Sequence, residues 1–167
     1  MFTFASSRFT DATWCENESY RSRSEFAGCV YGAPQQMSPK IDPKSLVFVV
    51  EMNNSQNKVL GIGLIRNLHV TTKTYKIYDS GNFNRYVFVG KYRVDRSELS
   101  ADLLQILDHI LFKERTHLKR GAGLTTIQDK LFRHEICCER DVKKEIVNTF
   151  LNKFDMKKTE EYKEFSK

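Results

Sequence analysis

Short runs of β-branched and aromatic residues predict a succession of β-strands in the middle of the chain. Residues 46–50 (LVFVV) are bounded by Pro43 and by Asn53-Asn54, which is typical of a buried central strand. Residues 58–65 (KVLGIGLI) form the next run, and the turn-forming sequence MNNSQN between the two runs predicts a hairpin. Further strands are predicted at residues 74–78, 85–89 and 91–94.

Helical periodicity follows this strand-rich region. Apolar residues recur at helical spacing from Leu99 to Leu111, which predicts an amphipathic helix with Asp95 or Ser97 as its N-terminal cap. Residues 122–127 end in β-forming residues and predict a last strand. A short helix around residues 129–136 and a second amphipathic helix over residues 140–154 are predicted to follow.

The two ends of the chain lack this patterning. Residues 1–43 are polar and contain all 3 prolines, so we expect irregular structure there rather than a continuous helix. Residues 156–167 are nearly all charged, and we expect a flexible tail after a single domain of residues 1–155. The order of elements favours an α+β fold with a small, curved antiparallel sheet. A parallel doubly wound sheet is disfavoured because helices do not alternate with strands.

Composition permits an anionic partner without requiring one, since the net charge is +6. No apolar run approaches the roughly 18 residues of a membrane span, and the N-terminal residues lack the apolar core of a signal peptide. The 4 cysteines lack the spacing of metal ligands. We therefore expect reduced thiols in an intracellular protein, cytoplasmic or nuclear, with no membrane partner and no metal. The alternatives are a structural zinc site of Cys and His side chains and a location in a host cell or virion.

The densest positive charge lies in KERTHLKR, residues 113–120, directly before Gly121 and Gly123. Cations beside unobstructed backbone N–H groups suit a phosphate group. The alternative is a solvated turn whose cations complement the dipole at the end of the preceding helix. The candidates for phosphate binding are Arg115, His117, Lys119 and Arg120, with Arg85 from the NFNRY segment.

Polar and aromatic residues gather where predicted strands end. Tyr31 lies in GCVYGAP, Asn53 and Asn54 follow the first predicted strand, and Tyr86 lies in NFNRY. Side chains at strand ends point toward the mouth of a barrel, where ligand pockets form. Trp14, the only tryptophan, lies among polar residues, where an aromatic ring can stack on a base. The alternative for each ring is packing in the core or on the surface.

Two glycines, Gly61 and Gly63, alternate within the second predicted strand. Both would lie on one face of that strand, which removes side chains and lets another backbone or a ligand approach. The alternative is a bend of the sheet packed under a helix.

The sequence lacks the nucleophile elbow, the zinc-protease motif and the P-loop that would mark a known class of enzyme. We therefore expect no catalytic residue and no cofactor. A nucleic-acid hydrolase remains an alternative, in which His117 would be the general base and Lys119 or Arg120 a charge clamp.

The stretch LVFVVEMNNSQNKVLGIGLIRN resembles the paired central strands of the PUA-like superfamily, which includes the EVE, YTH and ASCH domains. In this resemblance EFAGCVYGAPQQM is the turn before the first strand, YRVD the strand before a helix and LTTI the closing strand. The resemblance covers residues 26–128. The sequence also resembles proteins of large DNA viruses.

The resemblance implies a partly open antiparallel β-barrel with flanking helices that binds a single flipped, often modified, nucleobase. Trp14 and Tyr31 would be aromatic walls, with Tyr31 standing where YTH domains place a tryptophan. Asn53 and Asn54 would read the base edge, and the basic loop would contact the backbone. The expected function is non-catalytic binding of RNA or DNA. The alternative is an interaction or structural protein, as a homodimer or within a viral or regulatory assembly.

Overall fold

The computed structural model of the chain describes residues 2–113, 115–156 and 163. The predicted tail lies outside these residues, apart from Met156 and Lys163. The strands are β1 (Thr3–Phe9), β2 (Cys29–Ala33), β3 (Leu46–Asn53), β4 (Lys58–Arg66), β5 (Tyr86–Gly90), β6 (Tyr92–Asp95) and β7 (Thr125–Thr126). The helices of the described residues are α1 (Asp11–Arg23), α2 (Ala101–Phe112) and α3 (Val142–Phe154).

A five-stranded sheet with the strand order β6-β4-β3-β1-β7 forms the centre of the molecule, and β2 and β5 pair as a separate antiparallel ribbon. The predicted β3–β4 hairpin is confirmed. β1 runs parallel to β3, since α1 and β2 intervene between them as a crossover connection. The prediction of a purely antiparallel sheet is therefore wrong at this pair. The architecture is mixed α+β, and no pairing among the described strands joins β6 to β7 into a closed barrel.

The two faces of the five-stranded sheet bury separate apolar clusters. On the helix-covered face, Phe48 packs in one cluster with Leu107 of α2 and Phe150 of α3. On the ribbon-covered face, Val49 packs in another cluster with Phe88 of β5. Successive side chains of a strand point to opposite faces. All 8 residues of β3 are buried for this reason, as expected of a central strand.

The prediction of irregular structure throughout residues 1–43 is wrong, because β1, α1 and β2 all lie there. Thr10 caps α1 with its hydroxyl, and the Thr13 side chain accepts a hydrogen bond from the Thr10 backbone in return. α1 has no apolar stripe that periodicity could detect. It is held instead by this cap and by contacts of Trp14 and Asn17 with the ribbon-covered face.

Several predicted elements differ in detail. Residues 74–78 do not form a strand, because the Asn84 side chain accepts the N–H groups of Ile77 and Tyr78. Ser100, rather than Asp95 or Ser97, caps α2. The last strand is confined to Thr125–Thr126, and residues 129–136 contain 3-10 turns in place of a short helix. The predicted strands at 85–89 and 91–94 and both predicted amphipathic helices are confirmed within a few residues.

Candidate functional site

A cavity of about 370 Å³ opens where β1 ends and α1 begins. This volume falls within the range of small-molecule binding sites. We call it the β1–α1 cavity. It is lined by Ser7, Arg8, Phe9, Thr10, Thr13, Gly32, Pro34, Asn54, Tyr78, Phe83, Gly121, Ala122 and Gly123.

One wall of the β1–α1 cavity is aromatic. Phe83 is 40% exposed, and only Leu68, at 57%, is a more exposed large apolar side chain among the described residues. The Tyr78 ring packs edge-on against Phe83, with 6.2 Å between the ring centroids. A Cβ atom at Gly32 would lie 2.2 Å from the Phe83 carbonyl oxygen. The absence of a side chain at Gly32 therefore allows the Tyr78–Phe83 segment to pack directly against β2.

The opposite wall is the glycine loop that follows the predicted phosphate-binding residues, and the Arg8 side chain holds it. The Arg8 guanidinium donates to the carbonyl oxygens of Leu118, Gly121 and Gly123. It also donates to the hydroxyls of Ser6 and Thr125. These five bonds use every N–H of the side chain.

The charge of Arg8 has no anionic partner in the described part of the chain, because all of its acceptors are neutral. Burial lowers the pKa of Arg8, although an arginine still remains protonated at neutral pH. The wall of the cavity therefore carries an uncompensated positive charge, which attracts anions.

Asn54 joins two regions that the sequence singled out. Its Nδ2 donates to the Lys119 carbonyl oxygen at 2.8 Å, so the corner after β3 contacts the basic loop directly. Its Oδ1 is buried without a hydrogen-bond partner among the described residues. Ser7, 7% exposed, also lines the cavity, and its hydroxyl makes no hydrogen bond within the described structure. Each of these two groups therefore retains an unused hydrogen-bonding position close to the cavity.

The remaining predicted pocket residues lie outside the cavity lining. Asn53 is buried, accepting from the N–H groups of Ser55 and Gln56 and donating to Asp11. Its side chain therefore builds the turn after β3. The Tyr86 ring packs edge-on against His69 at 5.2 Å.

Trp14 is half-buried and Tyr31 is buried, and neither residue lines the cavity. The guanidinium groups of Arg21 and Arg93 lie 5.0 and 5.3 Å from the centroid of the Trp14 ring. Tyr31 is 1% exposed, and its hydroxyl donates to Glu51 Oε1 at 2.7 Å. Burial raises the pKa of Tyr31.

The alternating glycines make room for a buried ion pair. A Cβ atom at Gly61 would lie 2.6 Å from Arg93 Nη2, and one at Gly63 would lie 2.2 Å from the Tyr31 hydroxyl. Arg93 in turn binds both carboxylate oxygens of Glu51. Burial lowers the pKa of Arg93, but Glu51, Tyr31 and Asp95 together outweigh burial and raise it.

The five predicted phosphate-binding residues lie outside the cavity lining, and two of them are next to residues of that lining. Arg120 is exposed and directly precedes Gly121 of the lining, while Lys119 is half-buried beside Asn54. His117 accepts the Lys119 N–H with Nδ1 and thereby shapes the loop. Arg115 is exposed at the start of the loop. Arg85 is also exposed, and its guanidinium group lies 5.7 Å from the centroid of the Tyr86 ring.

Sequence reasoning missed the contribution of the β1–α1 junction. Ser7, Arg8, Thr10 and Thr13 belong to a stretch that was expected to be irregular. The spacing of Thr10 and Thr13, which matches reciprocal capping, was the available signal for a helix start. Phe83 lies in the NFNRY segment that was singled out, next to the residues selected from it.

Comparison with protein-family models, curated proteins and solved structures finds no match to this chain. Across the residues that the structure describes, no helix is both long and apolar enough to cross a membrane. Within the same residues, no group of three or more His, Cys, Asp or Glu side chains is arranged to hold a metal ion.

Proposed function

We propose that this chain is a non-catalytic, PUA-like nucleic-acid-binding module that takes one unpaired base into the β1–α1 cavity. The observation that carries the proposal is the meeting of three features at one opening. They are the exposed ring of Phe83, the polar edge formed by Ser7 and Asn54, and the basic loop ending at Gly121.

In this mechanism each feature has a separate task. The Phe83 ring stacks on the base, which contributes about 1–3 kcal/mol for a single base. The Ser7 hydroxyl, which makes no hydrogen bond within the described structure, offers one to the base edge. Lys119 and Arg120 contact the flanking phosphates. Arg8 has no free donor, so it acts by holding the loop and by its charge.

The cavity admits a base only after that base has left its stack. Extruding a base from a duplex costs a few kcal/mol, whereas an unpaired base avoids most of this cost. Single strands of RNA or DNA are therefore the expected ligands, and duplexes should bind more weakly.

The test is a fluorescence-anisotropy titration of labelled single strands and duplexes of about 12 nucleotides, at several salt concentrations. We expect Phe83→Ala to weaken binding of single strands about tenfold through the loss of stacking. Leu68→Ala is the matched control, since Leu68 is the other exposed large apolar residue in the described part of the chain. Equal affinities of Phe83→Ala, Leu68→Ala and wild-type protein would contradict the proposed base site.

The charge contribution is tested separately with Lys119→Ala/Arg120→Ala. The salt slope is the slope of the logarithm of the binding constant against the logarithm of the salt concentration. Each lost phosphate contact should lower the magnitude of this slope by about one, so the slope of the double variant should be smaller by about two. Lys130→Ala/Lys144→Ala removes the same charge from exposed positions near and on α3 and should leave the slope nearly unchanged. Absence of binding by wild-type protein to every strand at low salt would redirect the search to a protein partner.

A further inference from the structure

A second cavity, of about 560 Å³, adjoins the β1–α1 cavity along α1. Tyr78 lines both cavities. Thr10, the N-cap of α1, and Thr13 line the first cavity, whereas Ala12, Cys15, Glu16, Ser19 and Arg23 of α1 line the second. The two cavities are therefore neighbours beside α1 with Tyr78 as a common wall, and we call the surface that contains both of them the groove. At 1.5 Å per helical residue, the distance along the helix from Thr10 to Arg23 is about 20 Å.

Arg23 lies at one end of the second cavity, and the surface next to it, outside the cavity lining, is both aromatic and cationic. The rings of Tyr20 and Tyr75 lie 6.1 Å apart. The Arg23 guanidinium lies 5.9 Å from the Tyr20 ring, and Lys73 Nζ lies 4.6 Å from the Tyr75 ring. Lys76 lines the second cavity. We call these five residues the tyrosine platform.

The three cations of the tyrosine platform are available to a ligand. Arg23, Lys73 and Lys76 are exposed, and none of them pairs with a carboxylate in the described structure. Tyr20 and Tyr75 are half-buried, so each ring is anchored while part of its surface meets solvent. An anchored ring loses little conformational entropy when a base stacks on it.

Two carboxylates lie in the middle of the groove. Glu16 accepts the backbone N–H of Asp79 at 3.0 Å, which joins α1 to the opposite wall. Both residues line the second cavity. Their negative charge disfavours phosphate in the middle of the groove. The favourable positions for phosphate are thus its two ends, at the basic loop and at the tyrosine platform.

We propose that the tyrosine platform is a second subsite for the same single strand of nucleic acid, and that it binds nucleotides next to the base held in the β1–α1 cavity. This inference rests on the proposed function. Cations interleaved with aromatic rings suit single strands, because the cations meet the backbone and each ring stacks on a base of any sequence. The ligand is then a segment of several nucleotides rather than a free nucleoside.

The test compares labelled single strands of three and about eight nucleotides, since only the longer strand can span a groove of about 20 Å. We expect wild-type protein to bind the longer strand at least about tenfold more tightly. Lys73→Glu/Lys76→Glu should remove this gain while leaving the affinity for the trinucleotide within about twofold. Lys130→Glu/Lys144→Glu makes the same charge change elsewhere and should preserve the gain.

Stacking is tested at Tyr75. Tyr75→Ala should weaken binding of the longer strand about tenfold, whereas Tyr75→Phe, which keeps the ring, should bind like wild type. If both variants bind like wild type, the platform does not stack on bases and the inference is overturned.

The outcomes separate the two proposals. If Phe83→Ala weakens binding of both strands and Lys73→Glu/Lys76→Glu weakens neither, the base site stands and the platform is overturned. If wild-type protein binds neither strand, both proposals are overturned. If polyglutamate competes with the longer strand as effectively as unlabelled strand does, the platform binds acidic protein segments and the second-subsite inference is overturned.

Discussion

The two faces of the five-stranded sheet are built from different chemistry. The helix-covered face buries a cluster of apolar side chains contributed by the sheet, α2 and α3. The ribbon-covered face buries Glu51, Asn17 and Tyr31 among its apolar residues and borders the β1–α1 cavity. One sheet can therefore keep the apolar core on one face and the geometry of a ligand site on the other, because its two faces are filled independently.

The polar groups of the ribbon-covered face fix positions that apolar packing alone would leave adjustable. Arg93 reaches over Gly61 to Glu51, and Tyr31 reaches over Gly63 to the same carboxylate. A buried ion pair adds little net stability, but its directional bonds favour one arrangement of the strands. We infer that this network sets how the ribbon lies across the sheet, and hence the shape of the cavity.

The largest expected effect comes from breaking this network. Arg93→Ala leaves Glu51, whose side chain is 2% exposed, as an unpaired buried charge. The free energy of unfolding should fall by about 3–5 kcal/mol, as measured by urea denaturation. Arg140→Ala, which removes a surface pair with Glu145 on the other face, should cost much less. Equal losses of unfolding free energy in the two variants would show that breaking the buried network costs no more than breaking a surface ion pair, which contradicts the prediction.

A smaller effect is expected at alkaline pH. Burial raises the pKa of Tyr78 from 10.0 to about 12. The stability that this phenol contributes is complete below its unfolded pKa and is lost as the pH rises through its folded pKa. Because one pKa unit corresponds to about 1.4 kcal/mol, the loss between pH 10 and 12 should be roughly 2–3 kcal/mol.

Tyr78→Phe should reduce that alkaline loss, although it also removes the hydrogen bond from Asn17 and so lowers stability at neutral pH. Stability is measured by urea denaturation at each pH, alongside tyrosinate absorbance. Cys29, whose pKa burial raises to about 12, contributes a similar loss to both proteins. Parallel pH profiles for wild type and Tyr78→Phe would contradict the assignment to Tyr78.

The smallest expected effect tests whether the two faces of the sheet are independent of each other. Ile146→Val deletes one buried methyl group from α3 on the helix-covered face. It should cost about 1 kcal/mol in the free energy of unfolding and leave the affinity for a labelled single strand unchanged. A loss of affinity comparable to that of Phe83→Ala would mean that the two faces are coupled.

The predictable parts of the fold are those in which the apolar pattern of a single short segment indicates which residues are buried. The apolar run at 46–50 and the helical stripe through Leu103 and Leu107 each reveal a buried surface without reference to distant residues. α1 gives no such signal, because it depends on contacts such as that between Asn17 and the Val30 carbonyl oxygen. Residues 74–78 have strand-forming composition, yet Asn84 takes the N–H groups that a neighbouring strand would bind.

The candidate site was predictable where polar residues follow apolar runs. Asn54 was identified in this way and the basic loop by its density of positive charge, and the two meet in the structure. Tyr31 shows why aromatic identity alone does not predict the wall of a pocket, since the exposure of a ring depends on its tertiary neighbours. The available clue for Tyr31 was Glu51, a carboxylate at the end of an apolar strand, which needs buried partners.

The bonds of Arg8 have a consequence for the order in which the molecule assembles. Arg8 is separated by 110, 113 and 115 residues from the three loop carbonyl groups that it binds. Because these loop residues are synthesised long after β1, the bonds of Arg8 cannot form while the intervening chain is still emerging from the ribosome, and the sheet is incomplete during that time. We therefore expect nascent chains stalled before residue 118 to be more sensitive to protease at β1 than full-length protein, even after the β3–β4 hairpin has formed.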